Sequence, residues 1–492
     1  MNITANPLAP SVYARVNFAL VFAALIVHAN ANWKLKAQEN WPGFRNDGSG
    51  IVTVSKVPTE WSPEEGIAWR VDIPGYGQSA PVVWQGTIFL TSSEGPFQEQ
   101  GFVHAFDLAS GTKRWTSEVA ATTKVENYFR NSRAAPTCVV DEHLVCSFFA
   151  SGDVTAMNHE GQTQWTVPLF KRYGAVDNER GTASSLAQTA EHVLVLVDHN
   201  GPSYIVAINK ADGEIAWKTD RGNRVPSWSS PVIARHDNRQ LVIVSSADSV
   251  NAYDTNTGEE LWKLDDLQGN HIPSASVVDG SIYVGSTQMF GSDADPEKVA
   301  SSNCRIDLTT ENGRPSFKNR WGADKVNSYY STPLAFAGYV YYVNKPGVLF
   351  CVNQETGKRV FTQRIDNPCW ASAIGVNTKS GEKLVYFVMN NGFTIVLRPG
   401  DEYDQVARNQ LWDVEQMLAA AASAAELRKK NAVPADQAKP KTGPEKILAG
   451  MPEQSLHKMF SYGDPIAYAA AIVDGNLLIR TGQHLYCIRS KD

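Results

Sequence analysis

The chain has 492 residues, 43% of them hydrophobic, with a formal net charge of −6 and a pI near 6.0. Mild acidity with dispersed charges gives no electrostatic footprint for nucleic acid. The length suits about three ordinary domains, but internal repetition at a period of tens of residues overrides that count.

Arg15 precedes an apolar run from Val16 to Val27, and Ala29-Asn30-Ala31 follows as a small-x-small cleavage pattern. The run is too short for a membrane-spanning helix and reads as a secretory signal peptide over residues 1–31. Periplasmic or secreted location is therefore expected. The first cysteine is Cys138, so no lipid-bearing Cys follows the run. Residues 32–65 read as an N-terminal extension.

A repeating unit occupies residues 66–492. Each copy opens on small residues or Pro, runs into an apolar strand, turns on polar residues and returns as a second apolar strand. The eight openings are Ser79-Ala80-Pro81, Ala135-Pro136, Ser184-Ser185, Ser230-Pro231, Ser274-Ala275, Thr332-Pro333, Ala371-Ser372 and Tyr468-Ala469. A second phrase follows most openings. Ala105-Asp107-Gly111-Trp115 recurs as Ala207-Asn209-Gly213-Trp217 and Ala252-Asp254-Gly258-Trp262. Ala156-Asn158-Gly161-Trp165 is one residue tighter, and Cys351-Asn353-Gly357-Phe361 changes the ends. Alternating apolar residues before each Asp or Asn argue strand. Asp or Asn starts a turn, Gly supplies a positive φ, and Trp lies on the returning strand. Each unit is thus two hairpins, at roughly 40–57 residues per unit, which suits a propeller blade.

The chain ends fit that count. The last unit offers Gln483 to Ile488 as a third strand and then stops. Gly66 to Val71, carrying Trp69, has fourth-strand character with no unit before it. Joining the two closes the ring and removes two open edges; an open solenoid is the alternative. The expected fold is all-β: an eight-bladed propeller of four-stranded antiparallel blades, closed by the N-terminal strand. Trp69, Trp115, Trp165, Trp217 and Trp262 are its structural repeat residues.

One insertion, at about 408–460, breaks the pattern. Leu411 to Lys430 favours helix by propensity, and Pro434 to Lys441 is a polar linker. The acidic stretch Gly291–Glu297 lacks the spacing of a known calcium loop and reads as solvated acid. Cys138 and Cys146 sit on two arms of one hairpin, where they could face each other. Cys351 and Cys487 take the small-residue place in the repeat, and Cys304 lies near it. Neither CxxC nor zinc spacing occurs, and no metal site is expected.

In a propeller the loops leading into the innermost strands form one face of the axis. Those loops carry Gln78, Arg130, Arg133, Arg180, Trp228, His271, Tyr329 and Trp370, which are the candidate ligand-binding residues. Arginines suit a carboxylate, sulfate or phosphate, and the aromatics suit a sugar or planar ring. The same groups could equally bond loop backbones at a crowded axis. No nucleophile–base arrangement is legible, so no catalytic residue is assigned.

The Ala-x-Asp-x-x-x-Gly-x-x-x-Trp units resemble the PQQ-like (pyrroloquinoline quinone) repeat of β-propellers. Trp41-Pro42-Gly43-Phe44-Arg45-Asn46, Ile67-Ala68-Trp69-Arg70 and Pro74 to Val83 resemble exported PQQ-like proteins of planctomycete type. The resemblance covers about residues 41–400 and 462–490. It implies tryptophans docked between neighbouring blades. In the quinoprotein dehydrogenases it would also imply adjacent cysteines bridged over the quinone, a Trp floor, a calcium ion held by carboxylates and an Asp base. This chain has no adjacent cysteines; Cys369-Trp370 is the nearest approach. Glu179 and Asp464 are the only acids close to the expected ligand positions. No cofactor is therefore expected. The expected function is an exported, non-catalytic, monomeric propeller that binds a protein, peptide or glycan of the cell envelope at the channel mouth. A quinone- or metal-using oxidoreductase binding PQQ and calcium is the alternative.

Overall fold

The computed structural model describes residues 1, 40–95, 98–123, 125, 131–178, 180–269, 272–287, 293–413 and 465–490. The expected signal peptide lies outside these. Among the described residues, no helix is long and apolar enough to cross a membrane.

Eight antiparallel sheets follow one another around an axis. Blade 1 is typical. Val82–Trp84 is innermost, followed outward by Thr87–Glu94, Gln100–Asp107 and Lys113–Ala120. The middle strands are buried on both faces because a sheet packs each side against a neighbouring blade. The outermost strand alternates, with one face meeting water. Ring closure is as the sequence predicts. Ile67–Asp72 pairs antiparallel with His484–Arg489 and completes blade 8.

The Asx-Gly-Trp phrase is the joint between blades. Each Trp stands opposite the small residue of its own hairpin: Ala105 faces Trp115, Ala207 faces Trp217, Ala252 faces Trp262 and Cys487 faces Trp69. The indole then reaches the next blade. Its N–H donates to the carbonyl of the residue just after that blade's Asp or Asn. Trp69 donates to Leu108 (3.2 Å), Trp115 to His159 (2.7 Å), Trp165 to Lys210 (2.8 Å) and Trp217 to Thr255 (3.0 Å). The ring lies on that turn's glycine. A Cβ on Gly258 would sit 2.5 Å from Trp217 Cε3, and Gly258 has φ +72°. The glycine is thus required twice, for backbone conformation and for room.

Blade 5 departs from the phrase. Its outer hairpin, Cys304–Glu311 and Arg314–Gly322, lacks the Asx-x-x-x-Gly turn. Trp262 therefore finds no carbonyl there, and its indole nitrogen has no hydrogen-bond partner among the described residues. It packs on Phe317 instead, with centroids 4.8 Å apart. Trp321 continues the joint: it faces Arg305 and donates to Gln354 in blade 6 at 3.0 Å.

Residues 40–61 do more than extend the N-terminus. They lie at the axis and together meet the innermost strands, or the residues opening them, of blades 1 to 7. Trp41 bridges Val83, with 2.8 Å bonds in both directions. The Pro42 carbonyl accepts from Val140 N (2.9 Å) and Gln188 Nε2 (3.3 Å). Gly48 packs on Val232, where a Cβ would lie 2.1 Å from a methyl. The Ser49 carbonyl accepts from Ser276 Oγ (3.3 Å), and Arg45 donates to the Pro333 carbonyl (3.2 Å). Gly375 N donates to Gly50 O (2.9 Å), and Ile51–Val54 then pairs parallel with Ile374–Thr378 in blade 7. Arg45 and Asn46 adopt left-handed φ values of 56° and 64°, costly for non-glycine residues. The Arg45 guanidinium holds this turn by donating to Gly48 O and Ser49 O, both at 2.9 Å. Burial draws its pKa down to about 9, against the pull of Asp47.

One expectation is corrected and one boundary is refined. The insertion begins later than residue 408, because Asp404–Gln410 is the outer strand of blade 7 and Leu411 and Trp412 are buried in its core. Residues 414–464, including most of the expected helix and the linker, lie outside the described residues. Cys138 and Cys146 do not face each other. Cys146 pairs with Val139, which places the two thiols in different core clusters. All six cysteines are free and buried. In the acidic stretch, Asp295 caps the short helix Pro296–Ser301 by accepting from Glu297 N.

Candidate functional site

The small-residue openings build a crown of hydroxyls around the axis. Ala80 N donates to Thr137 Oγ1 (2.9 Å), Thr137 N to Ser185 Oγ (3.0 Å) and Ser185 N to Ser230 Oγ (2.9 Å). Ser230 N donates to Ser274 Oγ (2.8 Å), Ser274 N to Thr332 Oγ1 (3.2 Å) and Thr332 N to Ser372 Oγ (3.2 Å). Each bond passes from one blade to the next and satisfies a buried backbone donor. Ala80 and Ala469 line the same cavity from blades 1 and 8. The crown lies just above the axial segment, whose Phe44 forms the floor. The channel mouth is therefore a cup with a floor, of about 440 Å³, within the range of ligand sites.

Its walls differ from side to side. An aromatic arc runs across blades 6, 7, 8 and 1. Tyr329 stacks on Tyr330 at 3.9 Å, Tyr330 meets Trp370 edge-on at 4.8 Å, and Trp370 meets Tyr468 at 5.3 Å. The Tyr468 and Tyr76 hydroxyls share a 2.6 Å hydrogen bond across the seam where the ring closes. Opposite stands Arg180, its guanidinium 5.5 Å from the Trp228 ring centroid. Trp228 Nε1 donates to Gly181 O (2.8 Å) and Asn131 Nδ2 to Arg180 O (2.7 Å), which fixes this rim. Lys345 lies over Tyr329 at 5.9 Å. Arg180 and Lys345 are the cations of the described lining, and no carboxylate, histidine or cysteine is among those residues.

Of the candidate residues, Gln78, Arg180, Trp228, Tyr329 and Trp370 converge on the cup. Arg133 does not. It is 2% exposed, and its guanidinium has no hydrogen-bond partner among the described residues; burial lowers its pKa while Glu99 opposes. Arg130 and His271 lie outside the described residues. Phe44, Lys345 and Tyr468 line the cup without being candidates. Phe44 arrives on the axial segment, and Lys345 comes from a turn between the second and third strands of blade 6, which opens on the same face. That alternation of faces is the signal that could have found Lys345; Phe44 leaves no such trace.

Among the described residues, the cup departs from the quinone site that the resemblance implies. The floor is Phe44 where the resemblance implies Trp. Cys369 is buried, with its thiol pushed up to about 12 by desolvation, and has no adjacent cysteine. Among the described residues, no group of three or more His, Cys, Asp or Glu could hold a metal ion. Glu179 and Asp464 lie outside them.

Known proteins resemble this architecture. A PQQ-repeat family model, described as outer membrane protein assembly factor BamB, matches residues 33–197 and 150–305, together more than half of the chain. The outer membrane protein assembly factor BamB of Yersinia pestis is 22% identical over 226 residues, 46% of this chain. The chain spans about half (52%) of that relative's length. The crystal structure of BamB from Moraxella catarrhalis aligns with a TM-score of 0.52 at 12% identity, over 86% of this chain and 97% of that one. The quinohemoprotein alcohol dehydrogenase of Comamonas testosteroni aligns with a TM-score of 0.55 at 12% identity, over 92% and 81%. Both structural likenesses speak to fold alone. Repeat grammar, eight closed blades and the family match agree: the chain belongs to the PQQ-like repeat β-propeller family.

Proposed function

We propose that this protein is an exported, non-catalytic binding propeller of the cell envelope that holds a protein partner in the cup. The observation that carries this reading is the lining of the cup. It offers stacked rings, two cations and a crown of hydroxyls, but no carboxylate, imidazole or thiol among its described residues. The curated relative is named as an assembly factor rather than as an enzyme, which supports the same direction. A bound quinone is not part of the proposal.

The test is capture from envelope extract by the native chain and by Trp228→Ala and Arg180→Ala. Loss of the captured protein in both variants, with unchanged melting, is the expected result. Unchanged capture in both sinks the reading. So does a quinone spectrum with dye-linked alcohol or sugar oxidation after reconstitution with PQQ and calcium.

A further inference from the structure

The crown holds more donors than the protein uses. Thr137, Ser185, Ser230, Ser274 and Thr332 are each no more than 4% exposed and line the cup. Each side-chain oxygen already accepts a backbone N–H from the preceding blade. A hydroxyl that accepts one bond still has its own proton to give. Among the described residues, no protein acceptor receives any of these five protons. Five buried O–H groups around one axis need an acceptor, and the one that suits several at once is an anionic oxygen. Arg180 and Lys345 at the rim favour the same charge.

The shape restricts the ligand further. Phe44 and the axial segment close the far side. A strand cannot pass through, so an extended chain that enters ends inside. The arc Tyr330–Trp370–Tyr468 flanks the crown and offers a flat apolar wall. We infer that the cup captures the free C-terminal carboxylate of a partner polypeptide. The carboxylate accepts from the hydroxyl crown, and the last side chain packs on the aromatic arc. This inference rests on the reading of the cup as a protein-binding site and deepens it.

Two fluorescent tetrapeptide pools of random sequence test it, one with free acid ends and one with amidated ends, read by anisotropy on the full chain. A pool of uronic-acid oligosaccharides forms a third arm. The acid pool is expected to bind at least tenfold more tightly than the amide pool. Arg180→Gln with Lys345→Gln should weaken the acid pool several-fold, flatten its salt dependence and leave the amide pool unmoved. Thr332→Val should narrow the acid-to-amide ratio, a comparison within one protein sample that a general loss of stability does not alter. Equal affinity for both pools, abolished by Trp370→Ala, overturns end recognition but keeps the cup as a peptide site. Binding confined to the oligosaccharides, or no binding by any pool, overturns both.

Discussion

Gly258→Ala is the sharpest probe of how the blades are held together. The substitution adds one methyl at a backbone φ of +72°, where the new Cβ meets Trp217 Cε3 at 2.5 Å and Thr219 Oγ1 at 2.7 Å. The left-handed conformation alone costs about 1–2 kcal/mol for a non-glycine residue. Forcing a methyl into a filled joint adds about 1–3 kcal/mol, so the expected loss is about 2–5 kcal/mol. Gly280→Ala separates the two contributions. Its φ is +75°, but nothing lies within 4 Å of the added Cβ, so only the backbone cost applies. Urea denaturation followed by tryptophan fluorescence should place Gly258→Ala well below Gly280→Ala in midpoint, with unchanged slopes. In a Trp217→Ala background the extra cost of Gly258→Ala should shrink to what Thr219 Oγ1 alone imposes, a direct reading of the coupling. Equal midpoints for the two glycine variants would falsify the claim that the indole fills that space.

Asp198 and Arg221 form a fully buried ion pair at the boundary of blades 3 and 4, at 2.8 Å, joined by Ser246. Asp198→Asn should cost about 3–5 kcal/mol by stranding the Arg221 charge, whereas Asp198→Leu with Arg221→Met should recover most of it; a double variant as unstable as the single one counts against this. His104 is buried between Ser92 Oγ (2.7 Å) and Thr116 Oγ1 (3.0 Å). Desolvation first, then Arg480 and Lys113, hold its pKa down to about 3. The unfolded chain takes up this proton below about pH 6.5 and the native chain does not. The neutral native His104 thus costs no stability above pH 6.5, and stability falls as pH drops from there toward 3, by about 2 kcal/mol at pH 5. His104→Asn should remove that share of the acid sensitivity, and parallel stability-versus-pH curves would contradict it. All six thiols are buried and free, so a thiol reagent at pH 8 should label none in the native state and six in guanidinium; any fast native labelling opposes this burial.

The fold was legible because its joint is local and repeated. An Asx turn, a glycine and an aromatic at fixed spacing specify one contact, and that contact recurs across most blade boundaries. Blade 5 escaped because Arg305 takes the small-residue place and the hairpin lengthens, which hid Trp321 until pairing was visible. The loops before each inner strand were legible as one face, and this brought Gln78, Arg180, Trp228, Tyr329 and Trp370 together. Arg133 was misplaced because adjacent residues in a loop point to opposite sides, and position alone does not say which side is the cup. The floor was illegible for a different reason. Residues 41–54 have no strand partner nearby in sequence, and their contacts are spread over nearly three hundred residues of chain, from Val83 to Gly375.

Propellers are usually pictured as rings whose blades answer only to their neighbours, so that a unit can be gained or lost by duplication. The axial segment changes that arithmetic. Its carbonyls, glycines and arginine meet the inner strands, or the residues opening them, of blades 1 to 7, and Ile51–Val54 also lies against Ala469–Val473 of blade 8, so it works as a gauge marked for eight blades. A ninth unit would leave a gap opposite no mark, and a seventh-blade deletion would leave Ile51–Val54 without its strand. Blade number in this protein is therefore written twice: once in the repeats, and once in a hub that must be rewritten whenever the repeats change.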